Sequence, residues 1–110
     1  MSNKLEKHIE NQIKRYLDRL GVWYMKVHGS MYQKAGVPDI IACVDGVFVG
    51  IEVKRPGGTV SSLQQFNIDE INRSGGYAFV AYSVEDVQRK IAELRHALQL
   101  SKRCSEKSKT

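Results

Sequence analysis

Three residues near the middle of the chain have types and spacing that could do chemistry: Asp39, Glu52 and Lys54. Asp39 opens an apolar run that ends at Val44, and a second run from Val47 to Val53 contains Glu52, with Lys54 next after it. Between the runs lies Asp45-Gly46, which favours a two-residue type I′ hairpin because both central residues tolerate positive φ. In such a hairpin Val44 faces Val47, and counting back sets Asp39 directly opposite Glu52. Directly opposed residues share a sheet face, with Cβ atoms about 5 Å apart. Alternation puts Lys54, two residues beyond Glu52, on that face as well. Two carboxylates and one ammonium are thus expected to converge at one end of an otherwise apolar hairpin.

Opposed like charges destabilise a sheet, so a compensating cation is expected. Mg²⁺ binds through one or two carboxylates while keeping several waters, and the backbone carbonyl of Val53 could complete such a set. A metal held by Asp39 and Glu52 lowers the pKa of a bound water and neutralises charge on a phosphodiester. Lys54 can orient that water or stabilise charge growing on the phosphate oxygens. The competing reading is a structural ion pair between Lys54 and one carboxylate. No serine–histidine–aspartate set, zinc-ligand cluster or phosphate-binding glycine loop offers another chemistry; Gly57-Gly58 lacks the spacing of a P-loop.

The elements that must position these residues follow from periodicity. Leu5, Ile9, Ile13, Tyr16, Leu17 and Leu20 recur at helical spacing, with a capping arrangement at Asn3 and Glu6 and a stop at Gly21. Val22–Val27 reads as a strand and His28–Val37 as a loop. After the hairpin, Pro56-Gly57-Gly58 ends the third strand. A helix begins near Ser61 or Ser62, carries Leu63, Phe66, Ile68 and Ile71, and stops at Gly75-Gly76. Tyr77–Tyr82 is the fourth strand. Ser83 and Asp86 cap a last helix whose apolar positions are Val84, Val87, Ile91, Leu94 and Leu98. The order α-β-β-β-α-β-α, with a helical crossover between the third and fourth strands, predicts a mixed sheet flanked by helices in an α/β fold. Cys43 reads as a small core residue, and Trp23, Tyr77, Phe79 and Tyr82 as core and strand packing.

Gly36-Val37-Pro38-Asp39 followed by Glu52-Val53-Lys54 resembles the PD-(D/E)xK nuclease signature, and more narrowly the VRR-NUC group, which includes short stand-alone phage and prophage forms. The resemblance runs from about Leu5 to Val87. It includes Ile9-Glu10, Lys26, Ser61-Ser62-Leu63-Gln64, Gly75-Gly76 and Ser83-Val84-Glu85. It implies a restriction-endonuclease-like core and Mg²⁺- or Mn²⁺-dependent cleavage of DNA. Asp39 and Glu52 would be metal ligands, Lys54 the catalytic lysine, and Glu10 a further group at the metal, reaching it through water. Glu6 lies nearer the centre of the apolar helix face than Glu10 and competes for that role. Gln64 would hold Lys54 or a phosphate. Lys26, His28, Lys34 and Arg55 flank the centre and could contact DNA phosphates. Family analogy suggests branched or Holliday-junction-like DNA as substrate and a C₂ homodimer as the working form. A non-catalytic DNA-binding module and a phage structural or interaction protein are the alternatives.

The composition agrees with a small DNA-acting domain. One domain is expected over residues 1–99, with a basic, disordered tail from 100 to 110. The net charge of +5 includes +3 from that tail, so the body carries only +2. Two cysteines without ligand spacing, no membrane-length apolar run and no secretory signal suggest the cytoplasm, with neither membrane partner nor nucleotide cofactor, and the resemblance to phage and prophage forms implies that of a bacterial host cell.

Overall fold

A computed structural model describes residues 4–28 and 35–107 of the chain. The elements are α1 (Lys4–Leu20), β1 (Trp23–Lys26), β2 (Ile40–Val44), β3 (Val47–Val53), α2 (Ser62–Arg73), β4 (Tyr77–Ala81) and α3 (Val84–Lys107). The four strands form one sheet in the order β1-β2-β3-β4. The first two pairings are antiparallel and β3 with β4 is parallel, as the helical crossover through α2 demands. The fold is the expected α/β arrangement.

The turn sets the register. Asp45 and Gly46 both take positive φ, 51° and 84°, as the twist of a tight hairpin requires. Val44 consequently pairs with Val47 and Ile40 with Ile51, and the next step along the same register brings Asp39 level with Glu52.

Period-two alternation then divides the sheet between two environments. One face presents Ile40, Ala42, Val44, Val49, Ile51 and Val53 to α1 and α3, whose Ile9, Ile13, Leu17, Val87, Ile91 and Leu94 complete the core. On the other face α2 lies over β3 and β4, while β1 and β2 have no comparable helix cover among the described residues. Trp23, at 61% exposure, Met25 and Phe48 therefore stand open on that half-face.

Several sequence expectations are corrected by this asymmetry. Cys43 pairs with Trp23 on the uncovered half-face and is exposed, not a core residue. Of the aromatic set only Phe79 is buried; Tyr77 packs against it at 5.4 Å between ring centroids, and Trp23 and Tyr82 are exposed. Leu63 and Phe66 are likewise exposed, because α2 buries a narrow stripe centred on Asn67 and Ile68. The last helix runs on to Lys107, although a disordered tail is expected from residue 100. Ser101–Lys107 contains neither glycine nor proline and several good helix formers, so nothing local stops the helix once the core has nucleated it. The expected cap at Asn3 lies outside the described residues. No described helix is long and apolar enough to cross a membrane.

The turn that delivers Asp39 to the sheet is tied to α2. Gly36 has φ 79°, and a Cβ there would lie 2.8 Å from Leu63 Cγ and 2.9 Å from Asn67 Nδ2. Asn67, itself buried, donates to the carbonyls of Ala35 and Leu63 at 3.0 Å each. Pro38 is fully buried against Gly50, where a Cβ would meet Pro38 Cγ at 3.0 Å. Gly36→Ala combines a left-handed backbone with a steric clash, and is expected to cost about 1–3 kcal/mol of unfolding free energy in a urea titration.

Candidate metal and phosphate site

The ends of β1, β3 and β4 and the start of β2 meet at one end of the sheet, opposite the Asp45-Gly46 turn. Asp39 is the residue just before β2. Its carbonyl accepts from Val27 N–H at 2.8 Å, and its carboxylate Oδ2 accepts from Val53 N–H at 2.8 Å. Both neighbouring strands therefore hold it in place. Glu52 precedes Val53 on β3 and is only 1% exposed. The pairing of β3 with β4 continues one residue past Val53, where Lys54 N–H donates to the Ala81 carbonyl at 3.0 Å, so alternation carries Lys54 to the side of Glu52.

Glu52 is poorly satisfied. Its Oε2 accepts a long 3.4 Å hydrogen bond from Gln64 Nε2, and its Oε1 is buried with no hydrogen-bond partner among the described residues. Burial, reinforced by the Asp39 carboxylate beside it and by Glu6, pushes the Glu52 carboxyl up to about 8, against the opposing charge of Lys54. A buried acceptor of this kind is rare without a bound water or ion. Among the described residues no three His, Cys, Asp or Glu side chains converge as a ready-made metal cage. A two-carboxylate site with an orphaned oxygen nevertheless fits a hard divalent cation, which keeps much of its own water.

Gln64 is held by its own helix start. Ser61 caps α2 by accepting from Gln64 N–H at 3.1 Å, and Gln64 Oε1 accepts from Ser61 N–H at 2.9 Å. This capping box spends the Gln64 carbonyl on the backbone and leaves its amide group to face Glu52. The sequence places Gln64 in the site but not this reason for its orientation. Asn67, three residues further along the same helix, holds the Ala35-Gly36 turn and is not anticipated by the sequence reading. Its only sequence signal is a polar residue on the inward stripe of α2.

Glu10 lies elsewhere than a simple metal ligand would. It is 6% exposed and bridges Lys26 on β1, Lys7 at 3.0 Å and Lys14 at 3.1 Å. Burial alone would raise its carboxyl, but hydrogen bonds from Lys26, Lys7 and Lys14 prevail and hold it down at about 2. Lys26 also approaches Asp39, at 3.9 Å, and so links the Glu10 cluster to the carboxylate pair. Glu6, the competing helix carboxylate, is near enough for its charge to raise Glu52. His28, exposed, and Arg55, likewise exposed, lie at the same end of the sheet. Lys34 lies outside the described residues.

Comparison with known proteins follows this geometry. Residues 3–85 match the VRR-NUC domain family. A solved structure described as a VRR_NUC domain protein shares the fold with a TM-score of 0.63 at 18% identity, over 91% of this chain and 93% of that one. No curated protein matches the chain.

The two shifted carboxyls give opposite pH dependences in the metal-free protein. Glu52 binds its proton more tightly folded than unfolded, so stability falls as pH rises from 4.5 to about 8. Glu10 contributes stability that is complete above 4.5 and lost as pH falls toward 2. Thermal melts in EDTA should therefore show Tm declining between pH 5 and about 8. Glu52→Gln should flatten that decline, and Mn²⁺ should raise Tm more at pH 8 than at pH 6.

Proposed function

The chain belongs to the VRR-NUC family, a nuclease-type, DNA-acting domain, and from that premise we propose that it is a Mg²⁺- or Mn²⁺-dependent DNA endonuclease centred on Asp39, Glu52 and Lys54. The observation that carries the proposal is the buried Glu52 Oε1 beside Asp39, without a hydrogen-bond partner among the described residues and suited to a cation.

In this reading Asp39 and Glu52, with the Val53 carbonyl, hold the metal. Bound there, the ion would supply a water of lowered pKa and neutralise charge on the scissile phosphate. Asp39 is preset by the Val53 and Val27 amides, so its carboxylate need not be ordered when DNA arrives. Gln64 steadies Glu52 from the capped first turn of α2. Lys54, on the exit of β3, places its ammonium where charge develops on the phosphate oxygens. Lys26, His28, Lys34 and Arg55 would contact flanking phosphates, which position the strand without reading its sequence. Glu10 acts on the site through Lys26, while the charge of Glu6 is felt by Glu52 itself.

The proposal extends to a homodimer acting on branched DNA in a bacterial cytoplasm. A second copy covering the uncovered half-face would bury Trp23, Met25 and Phe48, apolar surface that a lone chain leaves to water. A twofold pair would also present two centres to two strands of a junction.

The test is cleavage of junction, flap, single-stranded and duplex DNA with Mg²⁺, Mn²⁺ or EDTA. Metal-dependent cutting is expected, with Asp39→Ala and Lys54→Ala each reducing the rate at least ~100-fold while the fold is retained. A folded wild type that binds but cuts none of these substrates would favour the non-catalytic DNA-binding module.

A further inference from the structure

The cluster on α1 is over-supplied with positive charge. One carboxylate, Glu10, is met by three ammonium groups, those of Lys7, Lys14 and Lys26. A single lysine is enough to neutralise a buried glutamate. Two of the three are themselves largely withdrawn from water, Lys14 and Lys26 having side chains 27% and 24% exposed. Gathering partly desolvated like charges is costly unless an anion shares them.

The geometry also gives the excess a place. Lys7 and Lys14 lie one turn before and one turn after Glu10 on α1, and their ammonium groups converge on the same Glu10 Oε2, at 3.0 and 3.1 Å. Lys26 joins them from β1 at the other oxygen, Oε1, and stands 3.9 Å from Asp39. The three amines thus form a compact group beside the carboxylate pair, with Glu10 as the fixed point that gathers them.

We propose that Lys7, Lys14 and Lys26, anchored by Glu10, form a station for backbone phosphates of the DNA strand next to the scissile bond. The inference rests on the nuclease reading and adds α1 to the DNA-binding surface, with Lys7 and Lys14 as phosphate ligands outside the catalytic motif. Glu10 is a positioning residue here. It holds the three amines together on one carboxylate, with Lys26 on the side of Asp39.

The experiment measures binding of duplex and junction DNA in EDTA across a salt series, so that no cleavage is needed for a readout. The comparison is wild type, Lys7→Ala/Lys14→Ala, and a control with the same charge removed elsewhere, Arg73→Ala/Lys90→Ala. Alanine is the best helix former, and thermal melts check that both variants fold. Neutralising one fewer phosphate lowers the slope of log K against log salt by about 0.9. The Lys7/Lys14 variant should therefore show a slope shallower by nearly ~2 and bind at least ~10-fold more weakly at low salt, while the control stays close to wild type. Equal weakening in both variants would overturn the station, since net charge alone would account for it. An unchanged slope in the Lys7/Lys14 variant, with metal-dependent cleavage intact, would overturn the station and leave the nuclease reading standing. A wild type that binds no DNA would sink both.

Discussion

A carboxylate buried on a sheet strand has few ways to be stable, and the placement of Glu52 organises much of what surrounds it. Water scarcely reaches it, another carboxylate stands beside it on the same face, and one of its oxygens has no hydrogen-bond partner among the described residues. Stability would be served by an apolar residue at this position, because Val53, Ile51 and Val49 on the same strand bury without cost. That a glutamate stands there instead gives up fold stability at the end of β3, a cost that the proposed metal site would explain.

The neighbouring elements are arranged around that concession. The β2–β3 hairpin brings Asp39 level with Glu52, and Val53 N–H fixes its carboxylate. Helix α2 acts on both acids from one side. Gln64 in its first turn reaches Glu52, and Asn67 one turn later clamps the Ala35-Gly36 bend that leads into Asp39. Helix α1 acts from the opposite face, where Glu10 gathers lysines and passes one of them, Lys26, to the edge of Asp39. Two helices on opposite faces thus set one site at the sheet end, where α/β folds commonly place ligands.

Much of this was legible in the sequence because it depends on local rules. The Asp45-Gly46 turn dictates a register, and the register dictates which carboxylates meet; both hold in the structure. The crossover between β3 and β4 and the apolar stripes of α1 and α3 follow from periodicity alone. What escaped depends on coverage by distant elements. Cys43 and Trp23 look like core residues along the chain, yet among the described residues no helix covers β1 and β2 on their face as α2 covers β3 and β4. Asn67 looks like a surface residue until its amide is seen holding a carbonyl 32 positions away in sequence. Of the three lysines around Glu10 the sequence reading singles out only Lys26, and the approach of β1 to α1 is what joins it to Lys7 and Lys14.

The central claim is that Glu52 and Asp39 together form a site for a divalent cation, and calorimetric titration of Mn²⁺ into the metal-free protein tests it most directly. The account predicts a saturable binding isotherm near pH 8 that weakens as the pH is lowered, because the proton on Glu52 competes with the ion. Glu52→Gln, which keeps the shape and removes the charge, should abolish that isotherm while leaving the protein folded. Undiminished Mn²⁺ binding by Glu52→Gln would contradict the account and leave the buried carboxylate without a purpose.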